Sequence, residues 1–255
     1  MSHLDQFIGR CHNNILSNNA EAEQARDYLV NTRGLTLETI KKHNIGYCYS
    51  YEKIPKEICH YGREPEGKGF SYFIKGRVIV PVYSEFGESI AFATRKPTTE
   101  SGNTWWNCPY KKGNHLFLLD KARKAMFNTN KVYLVEGYID ALVLSQEGLP
   151  NVVGLMGVTV SPRKLGLIIR YCNNVCLCMD VDKNMAGQKA QDKAIGVLQK
   201  FDFCESISIL DNMPVGQDPD DFVLEKGLGD FLSKERILTT IELAAIQKEV
   251  SKKKD

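Results

Sequence analysis

Six acidic residues stand where short apolar runs end. Glu136 and Asp140 follow the run 131–135, Asp180 and Asp182 follow the run 175–179, and Asp218 and Asp220 lie in a turn between Gly216 and Phe222. Carboxylates are general acids, general bases or ligands for hard cations. Two of them about 4 Å apart repel by roughly 4 kcal/mol at an effective dielectric near 20, so a site that gathers several calls for a cation. Oxygen donors without a histidine among them favour Mg²⁺ or Mn²⁺, and such an ion holds a phosphate well.

These acids need elements that carry them to one place. The pattern reads strand 131–135, helix 138–146, strand 151–153, helix 162–171, strand 174–179, helix 186–200 and strand 206–210. Ser161 as N-cap with Pro162 at the first helical position marks one helix start. Short links in a βα series force a parallel sheet with right-handed crossovers, and ligands bind beyond the carboxyl ends of its strands. Glu136 and Asp180 fall at that edge, and Asp182 shares the facing of Asp180 if the backbone stays extended. Asp140, in the first turn of a helix, reads equally as a site carboxylate or as a charge favoured by the helix dipole.

Upstream the pattern differs. Residues 78–83 and 89–94 read as a hairpin, with Arg77 just before the first strand and Arg95 just after the second. In an antiparallel pair those ends lie side by side, which would aim two guanidiniums at one phosphate; the alternative is two solvated strand-end charges. Between Arg63 and Lys124 there are eleven Lys or Arg against six Asp or Glu, a local balance of +5. The block includes Lys111 and Lys112, and Trp105 and Trp106, either of which offers a face for stacking a base. Residues 1–16 show no clear periodicity, Ser17 reads as the N-cap of a helix over 20–30, and residues 228–250 read as one or two amphipathic helices before a basic tail.

Glu136-Gly137-Tyr138-Ile139-Asp140, the pair Asp180 and Asp182, and Asp218-Pro219-Asp220 resemble the three acidic motifs of the TOPRIM domain in DnaG-type primases. Residues 25–47, the segment from Gly76 to Arg95, and Trp105 to Phe117 resemble the preceding polymerase core of that family. The resemblance implies an α/β protein made of an α+β N-terminal subdomain (1–128), a TOPRIM domain with a mainly parallel sheet (129–226) and a C-terminal helical segment with a basic tail (227–255). It implies a nucleotidyltransferase that joins ribonucleoside triphosphates into short RNA primers on single-stranded DNA, using two or more Mg²⁺ or Mn²⁺ ions. Asp180, Asp182, Asp218, Asp220 and Asp140 would hold metal, and Glu136 would be a ligand or proton acceptor. Arg77, Arg95, Lys111, Lys112 and Trp105 would meet template or nucleotide. The chain departs from the family in having Thr104 where many members have Lys, and Gly187 two residues later than usual. The competing readings are a TOPRIM nuclease and a non-catalytic nucleic-acid or helicase accessory protein.

With 255 residues, 25% of them charged, and a net charge of +2, the chain has the composition of a globular protein with proper cores. No apolar run approaches a membrane span and the polar start is no secretory signal, so a cytoplasmic protein without a membrane partner is expected. Eight cysteines at irregular spacing, without a Cys-x-x-Cys pair, argue against a disulfide scaffold and against zinc. Beside full-length members of the family it resembles, the chain lacks a Cys/His zinc module ahead of the core and the usual helicase-binding domain after Gly227, so the resemblance implies a zinc-binding template-recognition protein and a replicative helicase as separate partners, in the manner of a pared-down bacteriophage or mobile-element core.

Overall fold

The computed structural model describes residues 2–54, 58, 70–98, 105–181, 186–200 and 204–252. The chain packs as two compact units, Met1–Tyr110 and Lys111–Asp255.

The first unit opens with a helix, α1 (His3–Ile15), where sequence periodicity suggested none. Ser2 caps it: the Asp5 N–H donates to Ser2 Oγ at 3.1 Å, and the Ser2 N–H donates to the Asp5 carboxylate at 2.9 Å. Its buried face is Leu4, Phe7, Ile8, Cys11 and Ile15, a helical stripe interrupted in sequence by polar residues. Helix α2 (Ala20–Asp27) is capped by Asn19, whose side chain accepts from the Glu21 N–H at 2.9 Å, and not by Ser17, whose hydroxyl meets Tyr49 Oη at 2.7 Å. The chain continues through a π turn (Tyr28–Thr32) into α3 (Leu37–Lys42), which Thr36 caps.

Four strands then form an antiparallel sheet in sequence order: β1 (Gly46–Cys48), β2 (Arg77–Tyr83), β3 (Ser89–Arg95) and β4 (Trp105–Asn107). The β2–β3 hairpin carries a bulge between Val82 and Tyr83. Tyr83 pairs with Ser89, a register that would set Arg77 opposite Arg95, yet beyond the bulge Val78 is the partner of Arg95. A one-residue slip exchanges faces, so the two arginines leave the sheet on opposite sides.

The second unit runs α4 (Leu119–Thr129), β5 (Lys131–Val135), α5 (Tyr138–Gln146), β6 (Val152–Gly154), α6 (Pro162–Ile168), β7 (Asn174–Cys178), α7 (Ala186–Leu198), β8 (Ser206–Leu210), α8 (Pro219–Lys226), α9 (Leu228–Ser233), β9 (Glu235–Ile237) and α10 (Thr240–Lys252). Its sheet has the order β6-β5-β7-β8-β9. The first four strands are parallel, and β9 closes the edge antiparallel to β8. Sequence periodicity gave only helices after residue 228; the strand between them is polar and is held by its side chains. The Glu235 carboxylate takes the Lys131 ammonium and accepts from Tyr133 Oη at 2.9 Å and Ser208 Oγ.

Val132, Leu134, Leu177 and Ile207 face a core shared with Leu119 and Met126 of α4, Leu165 and Ile168 of α6, and Ile195 and Leu198 of α7. Burying that face is what fixes the register of the sheet, and with it the height at which each strand ends. Helix α5 is buried from Tyr138 to Leu144 and packs on α8. The seven described cysteines are free thiols, six of them buried, and Cys172, Cys176 and Cys178 belong to packed interior. Among the described residues no helix is long and apolar enough to cross a membrane.

Candidate active site

The parallel strands deliver acids to their carboxyl edge. Glu136 follows β5, and its Oε1 accepts the backbone N–H of Asp180 at 3.4 Å, across to the end of β7. The Gly216 N–H donates to the Val181 carbonyl at 2.7 Å, which ties the last acidic turn to the same strand end. From that turn, Asp218 stands at the N-cap of α8 without using its carboxylate as a cap, and Pro219 starts the helix. The carboxylates of Asp218, Asp220 and Asp221 each place an oxygen within 4.8 Å of the others. Asp220 is buried, while Asp218 and Asp221 are exposed.

Asp140 joins them. It is 8% exposed, and burial together with the charges of Asp220, Asp180 and Asp218 pushes its carboxyl well above the usual carboxylate range. Its Oδ2 also accepts the Gly137 N–H at 3.1 Å, so the residue both caps α5 and borders the acidic cluster. A Cβ added at 137 would lie 2.3 Å from that Oδ2, so any larger residue there displaces the Asp140 carboxylate. At Gly154, where β6 ends, a Cβ would lie 2.8 Å from the Gly137 carbonyl oxygen, so two backbones approach as only glycine permits.

Asp140, Asp180, Asp218 and Asp220 thus meet at one edge, with Glu136 beside Asp180. Asp182 lies outside the described residues, as do Thr104 and the loop before α7. Asp221 was not among the expected ligands, although it adjoins Asp220 in sequence; one helical turn brings its carboxylate round to Asp218. A donor set made of carboxylate oxygens, one of them driven toward its protonated form by its neighbours, fits a hard divalent cation, which would relieve that repulsion.

The basic residues are arranged differently from the expectation. Arg77 and Arg95 are 3% and 7% exposed, so neither is a solvated strand-end charge, and the bulge rules out their converging from one face. Arg77 Nε donates to Thr94 Oγ1 at 2.8 Å, and Arg77 borders a cavity of about 470 Å³ lined by Tyr72, Lys75, Gly76, Lys96, Pro97 and Thr98. Arg95 donates through Nε to Tyr28 Oη and lies over the rings of Tyr28 and Trp105, at 5.7 and 5.1 Å. Arg33 meets the same Tyr28 Oη at 2.9 Å. Trp106 stacks on Phe73 at 5.4 Å. In the second unit, Lys111 is exposed and Lys112 half-buried in a 3₁₀ turn (Lys112–Asn114).

The parallel sheet carries acids at two strand ends and a helix start, and residues 133–223 match the Toprim-like family profile. Residues 11–123 match the profile of the DNA primase catalytic core, N-terminal domain. The DNA primase of Aquifex aeolicus is 31% identical over 219 residues, covering 80% of this chain and 43% of that protein. The crystal structure of the zinc-binding and RNA polymerase domains of Aquifex aeolicus primase superposes with TM-score 0.76 at 28% identity, covering 92% of this chain and 60% of that one. A DnaG primase catalytic domain bound to single-stranded DNA shares the fold, with TM-score 0.70 at 24% identity over 91% of this chain and 81% of that one. The chain belongs to the DnaG-type primase family. It spans between 33% and 43% of the length of the curated primases it matches.

Proposed function

We propose that this chain is the catalytic core of a primase, joining ribonucleotides on a single-stranded DNA template. The observation that carries the reading is the convergence of Asp140, Asp180, Asp218 and Asp220 at the carboxyl edge of a parallel sheet in a chain of this family. In this reading Asp180, Asp182, Asp218, Asp220 and Asp140 hold Mg²⁺ or Mn²⁺, with Asp221 completing the set. Bound divalent ions supply neutralisation of the triphosphate and activation of the attacking 3′-hydroxyl. Glu136 accepts the hydroxyl proton or serves as a further ligand. Lys112, with Lys111, takes phosphate oxygens of the incoming nucleotide. Arg77, beside its cavity, takes template phosphates, a contact that does not read sequence and weakens with salt.

Arg95 and Trp105 serve the template surface by holding each other and Tyr28 in place. The solved relative bound to single-stranded DNA supports the template assignment. A replicative helicase and a zinc-binding template-recognition protein are the proposed partners.

The test is direct. Purified protein is incubated with single-stranded DNA, four ribonucleoside triphosphates and Mg²⁺ or Mn²⁺, with and without the cognate replication proteins, and the products are separated on a gel. Short oligoribonucleotides that vanish with Asp180→Ala support the proposal. Shortened DNA identifies a nuclease, and DNA binding without either product identifies an accessory protein.

A further inference from the structure

Lys164, in the first turn of α6, is 2% exposed, which is unusual for a lysine. Among the described residues its ammonium is held by two backbone carbonyls: it donates to Leu155 O and, at 3.2 Å, to Thr159 O. Those carbonyls bracket the loop that follows β6. In that loop Met156 takes the left-handed conformation at φ 58°, and Gly157 sits at φ 139°, a conformation open to glycine. Each of its ends is tied into the site. The Gly157 N–H donates to the Glu136 carbonyl at 3.0 Å, and Ser161 Oγ donates to the Gly113 carbonyl, in the turn that carries Lys112. A methyl built on Gly157 would come within 3.7 Å of Lys112 Nζ.

Among the described residues the charged group that acts on Lys164 is a second cation, Lys112. Lys112 repels it from the 3₁₀ turn, and His115, just beyond that turn, feels its charge in return; both His115 and Lys164 are held below their usual pKa, first by burial and then by these neighbours. Burial and Lys112 bring Lys164 down to about 8. A buried cation beside a second cation, both facing a loop at the carboxyl edge of the sheet, is compensated when a polyanion arrives.

The geometry points to Lys164 as the positioning residue of the nucleotide subsite: it clamps the Leu155 and Thr159 carbonyls, and so sets the loop against which Lys112 meets a triphosphate beside Glu136. This rests on the primase reading, because it takes a nucleoside triphosphate as the ligand of Lys112. A protonated Lys164 also adds attraction for that polyanion, so nucleotide affinity falls as pH rises through the region near 8 in which it discharges. The linkage reaches at most tenfold per pH unit.

The experiment measures binding of ATP with Mg²⁺ to the full chain by calorimetry between pH 7 and 9, for wild type and Lys164→Met. The expected result is a dissociation constant at least tenfold weaker for the variant at pH 7, and a ratio of variant to wild type that shrinks at least threefold by pH 9. In primer synthesis the same variant raises KM for ribonucleotides while kcat changes by less than threefold. A ratio that stays near one across the pH range overturns the proposal. Should Lys164→Met fail to fold, the wild-type pH series stands alone, against Lys112→Met as reference: affinity that falls no faster in wild type than in that reference overturns it. Wild type that binds no nucleotide at any pH overturns the primase reading together with this one, whereas wild-type binding with an indifferent variant overturns only this one.

Discussion

Replacing Asp140 by Asn tests the electrostatics of the site without disturbing its shape. The amide oxygen still accepts the Gly137 N–H, and the amide nitrogen still donates toward Asp220, but the like charge is gone. A carboxylate pair at about 4 Å with an effective dielectric near 20 repels by roughly 4 kcal/mol. Proton sharing within the pair, and the exposure of Asp218, leave on the order of 2 kcal/mol as the expected gain for the metal-free protein at neutral pH. At about 2–4 °C per kcal/mol for a unit of this size, the melting temperature rises by roughly 4–8 °C. The sign also fixes the pH dependence. The folded-state pKa of Asp140 is raised, so the native protein binds the extra proton; the contribution of Asp140 to wild-type stability is greatest at acid pH and declines as pH rises above the ordinary aspartate range toward the raised value, while the Asn variant lacks that decline. The assay is thermal melting in EDTA from pH 4 to 8, repeated with Mn²⁺. Wild type should gain more from Mn²⁺ than the variant, because a ligand that binds only the native site stabilises in proportion to its affinity. A variant that melts lower than wild type in EDTA, or responds equally to Mn²⁺, refutes the reasoning.

Other outcomes follow from neighbouring contacts. Lys164 has a folded pKa depressed to about 8 from 10.5, so the unfolded chain binds more protons between those values; stability should climb with pH across that window by about 1.4 kcal/mol per unit, and chemical denaturation of Lys164→Met should show no such climb. Gly137→Ala drives a methyl against Asp140 Oδ2, so Mn²⁺ affinity should fall at least tenfold while the melting point drops by the equivalent of about 1–3 kcal/mol; an unchanged metal titration contradicts this. Arg95→Lys removes a guanidinium stacked on Trp105 and bonded to Tyr28 and should destabilise the protein by about 1–2 kcal/mol, whereas Arg77→Lys should leave stability nearer to wild type and weaken single-stranded DNA binding in a filter assay.

The sequence exposes what depends on short-range pattern. The strands 131–135 and 206–210 and the helix 138–146 are visible because their apolar runs are continuous and their turns carry Gly, Ser or Pro. Glu136, Asp140 and Asp180 are legible as strand-end or helix-start acids for the same reason. Elements held by distant partners are not legible. The β9 strand is a polar Glu235-Arg236-Ile237 whose reason for pairing lies in Lys131, Tyr133 and Ser208, far away in the chain. The faces of Arg77 and Arg95 turn on one bulged residue that no periodicity announces. Helix α1 escaped notice because Gly9 and Arg10 break its apolar stripe, though Leu4, Phe7, Ile8 and Cys11 keep helical spacing. Lys164, in the polar-looking run Pro162-Arg163-Lys164, gives no sign of its burial, which arises from the loop folded over it.

In the proposed reading, acids from separate segments form one cation site at the edge of the parallel sheet. Anomalous diffraction at the manganese edge, from crystals grown with Mn²⁺, tests it most directly. The expected result is at least one manganese peak within coordination distance of carboxylate oxygens from both Asp180 and the Asp218–Asp221 turn, lost in Asp180→Ala. Manganese bound only elsewhere, with these carboxylates left without an ion at saturating Mn²⁺, would contradict it.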